Sequence, residues 1–151
     1  MEERSRLMER NLQDCPFYIV TRASLVMHAA FKESFAAGGI GEVRPAYLAV
    51  LWCLWDEDGQ KMRDLGRCAG LEPSTMTGLL DRMERDGLVT RSGDPSDRRV
   101  LKIHLTESGR AQEETVRRLV GETLAVLFDG IGDEEIDHLK DVLRRVMANT
   151  R

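Results

Sequence analysis

Cysteine and histidine are both scarce in this chain, and each scarcity removes a class of site. The three cysteines (Cys15, Cys53, Cys68) are odd in number and far apart, which predicts neither a disulfide framework nor a zinc centre. Cys53 and Cys68 stand among apolar neighbours and read as core residues of helices. The histidines (His28, His104, His138) include no pair at ligand spacing, so no metal site and no cofactor are expected. No apolar run approaches the ~18–20 residues that cross a bilayer, so no membrane partner is expected. The opening residues, Met1-Glu-Glu-Arg-Ser-Arg, lead into no apolar stretch of the secretory type, and a cytoplasmic protein follows. No nucleophile beside a base, phosphate loop or carboxylate dyad stands out, which argues against an enzyme.

What is present is an ordinary globular balance, 42% hydrophobic and 32% charged over 151 residues, enough for one unit with a real interior. The net charge of −4 argues at first against a nucleic-acid partner. Its distribution reverses the argument. Residues 61–102 carry nine bases and seven acids (+2), whereas residues 1–60 carry six against nine and residues 103–151 seven against ten, −3 on each flank. A basic centre between acidic ends is what a local phosphate-contacting surface leaves in the sum.

Pro16 suits the first turn of a helix in which Phe17, Val20, Met27, Phe31 and Phe35 recur at roughly helical spacing, ended by Gly38-Gly39-Ile40-Gly41. Pro45 opens a second, strongly apolar helix (Tyr47, Leu48, Leu51, Trp52, Leu54, Trp55) that Asp56-Glu57-Asp58-Gly59 closes. Short helices follow over about Met62–Cys68 and Pro73–Arg85, with Gly70 in the connection. The period then changes to that of strands: Leu88–Arg91 and Val100–Leu105 flank the polar turn Ser92–Asp97, with Leu101, Ile103 and Leu105 alternating onto one face. Thr106 caps a long helix to about Phe128 with an apolar stripe. After Gly130-Ile-Gly132, Asp133 caps a last one whose Ile136, Leu139, Val142, Leu143, Val146 and Met147 are expected to point inward. The order is helices, helix-turn-helix, hairpin, two helices.

In the segment EPSTMTGLLDRMERDG, Met76, Leu79, Leu80 and Met83 form one apolar face, while Ser74, Thr77, Gly78, Asp81, Arg82 and Arg85 lie opposite, with Thr75 at the margin. Small hydroxyl residues at a helix N-terminus suit close approach to a phosphate or base edge. Glycine inside a helix costs ~0.5–1 kcal/mol relative to alanine, which makes sense at Gly78 if a larger side chain would collide with DNA. A small polar surface helix would look the same in isolation. The hairpin adds Arg91, Arg98, Arg99 and Lys102 on or beside a turn where no core needs them, and cations at a hairpin tip can enter a narrow minor groove.

The stretch LEPSTMTGLLDRMERDGLVTR followed by DPSDRRVLKIHLTESG resembles the MarR family of bacterial transcriptional regulators. The likeness lies in the Leu-Leu-Asp-Arg-Met-Glu end of the recognition helix, the Asp-Arg-Arg wing and the Leu-Thr-x-x-Gly start of the next helix, over residues 60–110. The resemblance implies a mainly α fold with a small β-hairpin wing. It places a winged helix-turn-helix at 45–105, with helices 7–37 and 106–149 interleaving in a homodimer. It also implies binding of a palindromic double-stranded DNA operator, in a repressor more often than an activator. Carried over residue by residue, Ser74, Thr75, Thr77, Gly78 and Arg82 face the major groove, Arg98 and Arg99 belong to the wing, Arg99 enters the minor groove, and Asp97 braces it. Glu72 departs from the pattern, since Ser, Thr or Asp is the usual cap there. Met27, His28, Tyr47, Trp52 and Trp55 are candidates for an effector pocket binding a small apolar or aromatic molecule, although such residues are more often plain core. Cys15 is a candidate redox residue by the same resemblance, weakened because the tyrosines expected four and fourteen residues on are Ile19 and Ala29. The rival to a DNA-binding function is a winged helix used for protein–protein contact, which would show an apolar helix face and no arginine-bearing wing.

Overall fold

A computed structural model describes residues 11–97 and 99–149. Arg98 and residues 7–10 of the expected N-terminal helix fall outside the described residues. Seven α-helices among them are α1 (Pro16–Ala37), α2 (Leu48–Asp56), α3 (Met62–Ala69), α4 (Pro73–Arg85), α5 (Glu107–Ala111), α6 (Glu113–Leu127) and α7 (Asp133–Ala148). The strands are β1 (Gln60–Lys61), β2 (Val89–Gly93) and β3 (Leu101–Leu105). They form an antiparallel sheet of order β1-β3-β2, with Arg91 opposite Ile103 and Gln60 opposite Ile103 on the other edge. The sequence periodicity missed β1, because a strand of two residues has no period to read.

Proline at the first helical position starts α1 and α4, and a 3-10 turn over Pro45–Tyr47 feeds α2. Gly70 ends α3 in the left-handed region (φ 66°), a conformation open to glycine at little cost. The Thr106 hydroxyl does two things: it accepts from the Gly109 amide at 2.9 Å, capping α5, and donates to the Gly87 carbonyl at 2.6 Å. Gly109 is compulsory for a steric reason, since a Cβ there would overlap the Leu88 carbonyl. The Leu-Thr-x-x-Gly stretch thus clamps the C-terminal helices onto the strand leaving the recognition helix.

The core gathers Phe31 and Phe35 of α1, Val50, Leu51 and Leu54 of α2, Leu65 of α3, the Met76/Leu79/Leu80/Met83 face of α4, Ile103 and Leu105 of β3, and Val116 and Leu119 of α6. Four expectations fail here. Leu101 stays 42% exposed, because it lies at the hairpin's far end where no helix backs the sheet. The helix from Thr106 is split at Gln112 into α5 and α6. The α7 face does not point inward: no residue of α7 is buried, and Leu139, Val142 and Val146 are exposed. That helix is capped at Gly132, whose amide donates to the Glu135 carboxylate at 3.0 Å, and not by Asp133. On α1 likewise, Phe17, Ile19, Val20, Leu25 and Val26 face solvent while only the C-terminal half packs on the core.

Cys53 and Cys68, expected as separate core cysteines, are joined in a disulfide between α2 and α3. Cys53 is buried and Cys68 is exposed. Their Cα atoms stand 6.2 Å apart because α2 and α3 pack side by side across the short β1 connection, a proximity that a 15-residue separation conceals.

Candidate nucleic-acid interface

Burial of Met76, Leu79, Leu80 and Met83 rotates the rest of α4 outward. Ser74, Thr75, Thr77 and Arg82 are exposed, and Gly78 lies between them half-buried. Glu72 takes the N-cap position without any side-chain cap hydrogen bond. The Thr77 hydroxyl donates to the Pro73 carbonyl at 3.1 Å, leaving its oxygen lone pairs outward. A Cβ on Gly78 would meet nothing nearer than the Arg82 guanidinium at 3.8 Å, so the fold itself does not demand glycine there. Among the described residues Lys61, Arg63, Arg82 and Arg85 make no ion pair.

The wing is built on two aspartates. Asp97 accepts from the Arg99 amide at 3.0 Å and from its guanidinium at 3.2 and 3.3 Å, a two-point grip that holds a side chain 90% exposed. Those Arg99 hydrogen bonds hold the Asp97 carboxyl below its usual range. Asp94, which no sequence signal singled out, is buried beneath the turn. It accepts from the Ser96 hydroxyl and amide at 2.5 and 2.8 Å and pairs with Lys102 at 3.4 Å. Hydrogen bonds from Ser96, then Lys102, bring its pKa down to about 2.

Two of the expected wing cations are therefore committed inside the protein. Lys102 neutralises Asp94. Arg91, only 20% exposed, reaches from β2 onto the recognition helix, where it pairs with Asp81 at 2.6 Å and Glu84 at 2.8 Å. The expectation that no packed structure needs these cations fails, because folding brings Arg91 beside carboxylates ten and seven residues away and Lys102 beside Asp94 across the turn. The C-terminal end of α4 is held in turn by Asp86, which accepts from the Tyr47 hydroxyl at 2.6 Å and from Arg44 at 3.3 Å. Burial first, then the bond to Asp86, pushes the Tyr47 pKa up to about 12.

The effector candidates are only partly brought together. Tyr47 is fully buried and spends its hydroxyl on Asp86. His28 is exposed on α1, with its ring beside the Ser24 carbonyl, and Met27 packs against the core. Trp52 and Trp55 make an edge-on pair 5.7 Å apart. The Arg117 guanidinium lies 4.6 Å above Trp52, and the Trp55 indole donates to the Gly109 carbonyl at 3.0 Å. Cys15 sits at the N-cap of α1, half-buried.

The same architecture occurs in proteins of known class. A sequence profile described as MarR family matches residues 44–101. An HTH-type transcriptional regulator of Bacillus subtilis strain 168, YkoM, is 30% identical over 101 residues, 67% of this chain and 66% of its own length, so the match spans just under two thirds of that relative. The crystal structure of a probable transcriptional regulator from Pseudomonas aeruginosa superposes with a TM-score of 0.80 at 27% identity, covering 90% of this chain and 99% of that one. The transcriptional repressor CouR, solved bound to a 23-mer DNA duplex, superposes with a TM-score of 0.78 at 27% identity over 93% of this chain and 98% of its own.

Proposed function

Because this chain belongs to the MarR family of transcriptional regulators, we propose that it binds a palindromic DNA operator as a homodimer and represses transcription. The observation that carries the reading is Arg99, held extended by Asp97 at a hairpin tip beside a helix whose outward face is small and polar. A guanidinium poised in that way suits a narrow minor groove, while Ser74, Thr75, Thr77, Gly78 and Arg82 meet base edges in the adjacent major groove. A protein-docking winged helix would expose apolar residues on α4, and this one exposes hydroxyls and arginine. Folds of this family serve as DNA-binding regulators, which are not enzymes. No described helix is long and apolar enough to cross a membrane.

The unburied apolar residues of α1 and α7 supply the dimer contact, placing two recognition helices about one DNA turn (~34–36 Å) apart. A small apolar or aromatic effector releases the DNA from a site at Trp52 and Trp55, with Arg117 as the group it displaces or contacts. The test of DNA binding is an anisotropy titration at fixed salt, on a duplex selected by the protein from a random library. Arg99→Ala should weaken binding by ~1–3 kcal/mol, most on A·T-rich flanks, with an unchanged thermal melt. Equal affinity of wild type and variant on every flank would remove the wing from the reading.

A further inference from the structure

We propose that Cys53 and Cys68 form a reversible thiol–disulfide site, closed by a hydroperoxide, that fastens the first helix of the helix-turn-helix to the helix behind it. The proposal rests on the DNA-binding reading in one respect. A protein that works on intracellular DNA meets a compartment that keeps thiols reduced, so a disulfide there marks an oxidised state and not a permanent staple.

The geometry separates the roles of the two sulfurs. Cys68 is exposed on α3, where an oxidant can reach it, and Cys53 is buried on α2, facing it from the core. The Cα separation of 6.2 Å lies within the range a disulfide spans without moving the backbone. The Cys68 thiolate attacks the distal oxygen of the hydroperoxide. The O–O bond breaks, leaving a sulfenic acid on Cys68 and an alkoxide (hydroxide from hydrogen peroxide), which takes from solvent the proton that the Cys68 thiol lost on ionising and leaves as an alcohol or water. The Cys53 sulfur then attacks the Cys68 sulfur; the S–S bond forms, and the departing hydroxide takes the Cys53 proton away as water. Two thiols are oxidised by two electrons and one hydroperoxide is reduced. A dithiol reductant reverses the step by exchange at Cys68, the exposed partner of the pair.

The position makes the bond consequential. Gly66 of α3 lies so close to the recognition helix that a Cβ there would meet Met76 at 3.4 Å and the Leu71 carbonyl at 3.3 Å. The Leu71 amide donates to the Gly66 carbonyl at 2.9 Å. The α2 anchor is itself tied down, since the Cys53 carbonyl accepts from the Gln60 side chain at 2.8 Å. Closing the bond therefore fixes α2, α3 and the base of α4 as one platform. The oxidised chain keeps a complete winged helix, so the closed bond preserves the DNA-binding form and makes it harder to unfold.

The experiment treats fully reduced full-length protein with one equivalent of hydrogen peroxide, maps disulfides by peptide mass spectrometry, and follows the melt. The expected result is a Cys53–Cys68 bridge, a melting point raised by roughly 5–10 °C, and full reversal by dithiothreitol. Cys68→Ser and Cys53→Ser should both abolish the rise, while Cys15→Ser should leave it intact. Failure of the bridge to form, a response that disappears only with Cys15→Ser, or a lowered melting point would overturn the proposal. Binding of the library-selected duplex is measured in parallel. The oxidised protein should bind within about twofold of the reduced one, and a tenfold loss on oxidation would overturn the claim that the platform is held in its binding form. If no duplex is selected at all, the DNA-binding reading fails while the covalent and thermal readouts still decide the thiol chemistry.

Discussion

Replacing Arg91 by alanine should weaken DNA binding although this side chain has no spare charge to offer a phosphate. Its guanidinium offsets one of the two negative charges that Asp81 and Glu84 place on the recognition helix, at 2.6 and 2.8 Å. Both carboxylates are about half exposed, so solvent screens the pairs and each contributes ~0.2–1 kcal/mol; the variant should lose about 1–2 kcal/mol of stability, including the contact to the Thr77 carbonyl. The binding effect has another origin. One unit charge about 10 Å from a phosphate in a water-like medium is worth ~0.4 kcal/mol, and several phosphates lie within a Debye length of a helix in the groove. Removing Arg91 should therefore cost about 1–1.5 kcal/mol of binding, roughly tenfold in affinity near 0.15 M salt. The assay is the anisotropy titration above, repeated with Arg91→Ala and with the triple variant Arg91→Ala, Asp81→Asn, Glu84→Gln. The triple variant removes one positive and two negative charges, so its affinity should return to wild type or better while its melting point stays low. If the triple variant binds as weakly as Arg91→Ala alone, the neutralisation argument is wrong and Arg91 acts on the DNA or on the pose of β2.

Gly109→Ala should destabilise the protein by at least ~1–3 kcal/mol, read by urea titration, since its Cβ overlaps the Leu88 carbonyl and one of the two backbone segments must move. The Asp94 carboxyl is depressed to about 2 in the folded chain from an ordinary 3.8, so its contribution to wing order is complete above about pH 4 and is lost as pH falls toward 2. Amide exchange at Ser96 should quicken over that window, and an exchange rate that follows only the intrinsic pH dependence would contradict the assignment. Val142→Glu on the exposed apolar face of α7 should turn the proposed dimer into a monomer in analytical ultracentrifugation at low micromolar concentration; a wild-type chain already monomeric there would dispose of the dimer itself.

The amino-acid sequence alone determined those features of this protein that follow from neighbours along the chain. The apolar face of α4 appears as Met76, Leu79, Leu80 and Met83 because one helix period decides which side packs. The Thr106 cap, the Gly70 stop and the Asp97–Arg99 grip span at most three residues, so local stereochemistry settles them before any tertiary contact forms. The tertiary structure decided whatever depends on who faces whom. Only packing α2 against α3 brings Cys53 to Cys68. Only folding the hairpin back over α4 commits Arg91 to Asp81 and Glu84, and a charge counted along the chain cannot tell a bound guanidinium from a free one. The same limit applies to α7: its stripe reads as a face that must be buried, but none of its residues is buried among the described residues, because an apolar period specifies that a surface wants cover and not which molecule provides it.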